Sequence, residues 1–73
     1  MARAKEQRIG YLRGSYGEDQ PGTLFVSKIG RDYRLSDGSK THLCHPSVRD
    51  IEGVKREALL VFHLRDTTFE GTD

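Results

Sequence analysis

The feature that most constrains this chain is a run of strand-like residues punctuated by turns between Thr23 and His45. In Thr23–Ile29, Phe25 and Ile29 alternate against Leu24 and Val26, and the β-branched and aromatic content favours a strand. Gly30-Arg31-Asp32 reads as a turn, and Tyr33-Arg34-Leu35 as a short strand. Ser36-Asp37-Gly38-Ser39 contains Asp-Gly, a strong hairpin signal because both central turn positions need positive φ. Lys40 to His45 is the returning strand. A three-stranded meander is therefore expected over 23–45.

The flanks must supply the rest of a sheet. Gln7 to Arg13 is a further strand, with Ile9 and Tyr11 on one face and Gly10 and Leu12 on the other. Gly14 to Gly22, dense in Gly, Pro and acids, predicts a long loop or wide hairpin end. Residues 1–6 read as a flexible basic arm. Pro46 pushes His45 toward an extended conformation. Ser47-Val48-Arg49-Asp50 resembles a capping box, and Val48, Ile51 and Val54 fall at helical spacing. Gly53 costs a helix about 1 kcal/mol relative to Ala, so helical turns are expected over 47–52 with a break near Gly53. Ala58 to Leu64 is the strongest apolar run and is expected as a buried strand, although its Glu57-Ala58-Leu59-Leu60 start also suits a helix. Residues 67–73 form an acidic tail with a short edge pairing at Thr67-Thr68-Phe69, leaving one domain over 7–66.

Size limits what this sheet can enclose. The chain has 73 residues, 34% hydrophobic and 32% charged, so its core is thin. Such a chain buries only about 60% of the surface that it exposes when unfolded. A small barrel meets that limit, as a monomer or a small homo-oligomer. The single Cys44 excludes an internal disulfide and fits a reducing, cytoplasmic compartment. No run approaches the ~18 apolar residues of a membrane span, and the charged start lacks the apolar stretch of a secretory signal.

Net charge is only +1, but its distribution is uneven: residues 1–13 sum to +3, 28–40 to +2, and 65–73 to −2. A small protein with such separation can present one positive face. Aromatic residues beside basic ones suit a platform for single-stranded nucleic acid, where bases stack and cations hold phosphates. The candidates are Tyr11, Tyr16, Phe25, Tyr33 and His45 with Arg8, Arg13, Lys28, Arg31, Arg34 and Lys40. Tyr16 and Tyr33, beside turns, are expected to be the exposed members.

Other chemistries fit less well. His42 and Cys44 share a strand face and His45 points away, but His-x-Cys-His lacks the paired spacing of zinc sites, so no metal or other cofactor is expected. Cys44 is then a small buried hydrophobe. Cys44 and His45 project oppositely and no oxyanion donor is identifiable, so an enzyme is not expected. The Gly14–Gly22 loop carries Glu18 and Asp19 and no Gly-Lys-Ser or Gly-Lys-Thr, which disfavours phosphate cradling.

Thr41-His42-Leu43-Cys44-His45-Pro46-Ser47-Val48 resembles the strand of cold-shock and S1-type domains that ends in a His-x-Ser pattern. Glu52 to Leu64 resembles the loop and Val-x-Phe-x-hydrophobic strand that follow in cold-shock domains. Gly22-Thr23-Leu24-Phe25-Val26 lies where that family carries its first RNA-binding motif, whose Lys-Gly-Phe-Gly-Phe core is absent here. The resemblance covers about half the chain. It assigns Phe25 to a stacking aromatic and His45 to the motif histidine, with Pro46 in place of the aromatic that follows.

The expected fold is all-β, a small five-stranded OB-like barrel with one short helical connector, or alternatively an SH3-like barrel. In the OB arrangement the connector lies between the third and fourth strands. The expected function is non-enzymatic binding of single-stranded RNA or DNA along 8–13, 23–34 and 42–45. The alternative is a small regulator or inhibitor that docks on a larger protein through a sheet edge or its charged ends.

Overall fold

A computed structural model describes residues 5–72. The fold is all-β and barrel-like, with five antiparallel strands in one sheet and one short helical connector. The strands are β1 (Glu6–Gly17), β2 (Gln20–Ile29), β3 (Asp32–Ser36), β4 (Thr41–Leu43) and β5 (Arg65–Gly71). Their order in the sheet is β4-β3-β2-β1-β5. The first four form a meander, and β5 returns to pair with β1. The connector joins the fourth strand to the fifth, one strand later than in the OB arrangement.

The expected meander is present and extends further than the sequence suggested. Instead of a long loop over Gly14–Gly22, the β1–β2 ladder runs to the pair Gly17↔Gln20. Glu18 and Asp19 alone make the turn, with Asp19 at φ 57°. Aspartate tolerates this left-handed conformation better than most residues. Register shifts between Arg8 and Gly10 and between Ser15 and Gly17 absorb the irregular positions. At the β3–β4 turn Gly38 has φ 99° but Asp37 does not have positive φ. The Asp37 carboxylate instead closes a wider turn by accepting from the Ser39 and Lys40 N–H groups at 2.8 and 2.6 Å. Those two donors hold its carboxyl below the usual carboxylate range.

Alternation sets the core. Leu12, Leu24, Val26 and Leu35 point inward and are fully buried, while their sequence neighbours point out. Gly10 shares the inward face, across from Val26. A Cβ there would meet the Glu70 carbonyl, and the Phe69 ring at 2.7 Å, so its lack of a side chain lets β5 lie against β1.

The connector is where sequence and structure differ most. Residues 58–64 are not a strand. Helix α1 (Ile51–Glu57) continues directly into a wide π turn over Ala58–Phe62. Val54, Ala58 and Phe62 are buried at four-residue spacing, whereas Leu59 and Leu60 are exposed. That burial pattern needs helical periodicity, because a strand would bury alternate residues. His63, left-handed at φ 60°, stops the helix, and Leu64 re-enters the core.

The helix also starts later than expected. Asp50, not Ser47, is the cap, accepting from the Gly53 N–H at 2.9 Å. Ser47 is engaged by the His45 ring, whose Nδ1 lies 2.8 Å from Ser47 Oγ. Gly53 does not break the helix: a Cβ there would stand 3.0 Å from Val48 Cγ1, so glycine makes room for Val48 to pack.

The expected acidic tail over 67–73 is strand as far as Gly71, which extends the domain past residue 66; of the expected pairing at Thr67–Phe69, Thr68 and Phe69 pair with β1 and Thr67 falls at a register shift. Phe69 packs against the core from across Leu12, so β5 supplies apolar burial rather than a solvated end. Of the expected arm over 1–6, residues 1–4 lie outside the described residues and Glu6 opens β1. Among the described residues, no helix is long and apolar enough to cross a membrane.

Candidate functional site

The outward-facing residues of the sheet form registered rows. One row runs Leu43–Arg34–Ser27–Arg8 across β4, β3, β2 and β1. The next runs Thr41–Ser36–Phe25–Tyr11–Glu70, and a third runs Thr23–Arg13–Thr68. Antiparallel pairing places such partners about 4.5–5.5 Å apart at Cβ. Three consecutive strands thereby bring Arg8, Tyr11, Arg13, Phe25 and Arg34 onto one face.

Cations and rings already touch there. The Arg8 guanidinium lies 4.5 Å from the Phe25 ring centroid, and Arg13 lies 5.4 Å from that of Tyr11. Both rings are half-buried. Ser27, the sole polar residue buried among those described, sits between Arg8 and Arg34 in its row.

Two acids that the sequence reading passed over temper the charge. Glu6 Oε1 accepts from Arg34 Nη1 at 2.6 Å. Glu70 Oε2 stands 3.2 Å from Arg13 Nε but without hydrogen-bond alignment, and that oxygen is buried and otherwise unpartnered. Glu6 falls in the arm expected over 1–6 and Glu70 in the tail expected over 67–73. Only the ladder register puts each beside an arginine.

The other candidates lie elsewhere. Tyr33, expected to be exposed, is buried because it shares the inward parity of Leu35, and Lys28 lies 5.4 Å from its ring on that same side. Lys28 therefore does not join Arg13 and Arg34. Tyr16 is exposed as expected, but at the hairpin end, where its ring occupies the space left by Gly22. Partial burial, and then the charge of Asp37, push its phenol up. Arg31 is exposed in the β2–β3 turn. Lys40 lies 5.3 Å from the Phe62 ring, against the connector. His45 is in the connector, turned to Ser47, not on the outer face.

A second cluster forms where β4 meets α1. His42 projects inward from β4, paired with Leu35, and Cys44 follows on the same side. Glu57, the last residue of α1, places Oε1 3.2 Å from His42 Nε2 and accepts from the His45 backbone N–H at 3.3 Å. The His42 hydrogen bond, with the His45 N–H, holds the Glu57 carboxyl below its usual range against the opposing effect of burial. Burial, and then the charge of Glu57, push the Cys44 thiol up to about 11. Glu57 was missed because its partners lie 12 and 15 residues away. A helix carried through Gly53 was the only route to it.

A concavity of about 680 Å³ lies between the connector and β5 and is lined by Lys55, Arg56, Leu59 and Arg65 among others. It gathers charges of both signs. Comparison with protein-family models, with curated proteins and with solved structures finds no match for this chain.

Proposed function

We propose that this protein binds single-stranded RNA or DNA, without catalysis, on the outer face of its sheet. The observation that carries this reading is the registered set Arg8, Tyr11, Arg13, Phe25 and Arg34. Its two rings would stack bases, and stacking contributes about 1–3 kcal/mol per base. Its three guanidiniums would hold phosphates, with the Ser27 hydroxyl between two of them.

About three phosphate contacts give a slope near −2 of log affinity on log salt for a single strand, so a fourfold rise in salt weakens binding roughly 20-fold. Fluorescence anisotropy with a labelled 12-nucleotide strand tests this at two salt concentrations. Tyr11→Ala and Arg8→Ala are expected to weaken binding at least tenfold, and Arg31→Ala to leave it nearly unchanged. Absence of binding at the lower salt overturns the reading.

A second reading, a small regulator docked on a larger protein, is favoured by exposed Leu43, Leu59 and Leu60. Leu43 lies on edge strand β4, where a partner strand could add to the sheet. Loss of partner capture in Leu60→Ser, with oligonucleotide binding absent, would support it.

A further inference from the structure

We propose that His42, Cys44 and Glu57 form a binding site for a zinc-type divalent transition-metal ion. The site is independent of the outer face and would survive the failure of the nucleic-acid reading. One ligand atom from each residue, His42 Nε2, Cys44 Sγ and a Glu57 carboxylate oxygen, lies within 4.8 Å of the other two. In a tetrahedral zinc site the nitrogen–oxygen edge is about 3.3 Å and the sulfur–nitrogen edge about 3.6 Å, from bonds near 2.0–2.3 Å. The His42–Glu57 separation of 3.2 Å already matches the first edge. Only the sulfur has to draw in, by about 1.2 Å at most.

The donor set selects the ion. Thiolate and imidazole favour zinc, cobalt or copper over magnesium or calcium. The Glu57 oxygen is oriented by the His45 backbone N–H, as outer partners orient metal ligands. Side chains of His42 and Glu57 are 28% and 20% exposed, which gives an ion a path in and leaves a fourth position for water. His45 is not part of the set, because its ring is held by Ser47. The ligands come from a short edge strand, from Cys44 just after it and from the helical connector, so the ion would tie the edge of a thin fold to the element that closes it.

Ion binding reverses the local acid–base balance. Ligation requires the thiol to lose its proton to solvent as the metal–sulfur bond forms, and the His42 ring, whose Nε2–H donates to Glu57 without the ion, to carry its proton on Nδ1 so that Nε2 is free to bind. Titration of the intact protein with Co²⁺ tests the proposal. The expected result is one ion per chain, a near-ultraviolet sulfur-to-cobalt charge-transfer band, visible bands of a four-coordinate ion, and release of about one proton per ion. Zn²⁺ should displace the cobalt and raise Tm in proportion to its concentration. Cys44→Ser should abolish the charge-transfer band. Because Cys44 is buried, His42→Gln and Glu57→Gln at the half-buried positions provide the second check, each weakening uptake at least tenfold with the circular dichroism unchanged. The proposal is overturned if the folded protein develops no charge-transfer band at about 1 mM Co²⁺, a weak limit for such sites. It is equally overturned if wild type and Cys44→Ser give the same weak six-coordinate spectrum.

Discussion

The two faces of the sheet are made from alternate residues of the same strands, yet they obey different rules. Inward, Leu12, Leu24, Val26 and Leu35 are wholly buried, and their contribution follows area removed from water. Outward, Arg8, Tyr11, Arg13, Phe25 and Arg34 are exposed or half-buried, and their contacts are cation–ring pairs and surface ion pairs. The first face determines whether the chain folds. The second is less buried, and under the proposed function it is the surface that takes the ligand. Stability and binding should therefore respond to mutation on opposite faces.

The sharpest way to break that contrast is at neighbouring positions of the β2–β3 pair. Leu35→Ala on the inner face is expected to cost about 2–5 kcal/mol, because it empties a fully buried site. Urea denaturation would measure it, and the loss should appear with or without oligonucleotide. Phe25→Ala on the outer face should cost well under half as much stability while removing most of the binding. Equal stability losses at the two positions would mean that the outer face is core.

A smaller effect separates the sheet from its connector. Glu57 ionises more readily folded than unfolded, because His42 and the His45 N–H favour its charged form. Its contribution is complete above the ordinary carboxylate value and is lost as pH falls through the depressed folded one. Tm in the ion-free protein should thus fall as the pH drops below that ordinary value, and Glu57→Gln should flatten the slope. A slope unaltered by the substitution would show that other carboxylates carry the acid limb.

The smallest stability effect is expected at Glu6. Its pair with Arg34 is largely solvent-exposed, and such pairs contribute about 0–1 kcal/mol. Glu6→Gln should leave Tm almost unchanged but tighten oligonucleotide binding by freeing a guanidinium. Weaker binding in this variant would argue against a phosphate at Arg34.

The contrast between faces was legible in the chain itself. Alternation placed Leu24 and Val26 opposite Phe25, and Gly30 and Gly38 marked the turns of the meander. What misled was local composition read without packing. Gly14 to Gly22 looked like a loop because glycine and proline are poor strand formers, but bulges and a two-residue turn accommodate them within a hairpin. Ala58 to Phe62 looked like a strand because the run is uniformly apolar, which hides its period. The spacing of Val54, Ala58 and Phe62 was the available signal for a helix. Tyr33 was misplaced for a related reason: its position beside a turn suggested exposure, but parity with Leu35 buries it.

The sequence by itself determined the all-β class, the meander, and the parity of the residues within it, because alternation and turn chemistry act over a few residues. Tertiary structure alone decided that β5 returns to β1, that Glu6 and Glu70 meet arginines, and that Glu57 reaches His42 and Cys44. Those are contacts between segments distant along the chain. They depend on strand register and helix length, which are set by how the whole core closes and not by any local pattern.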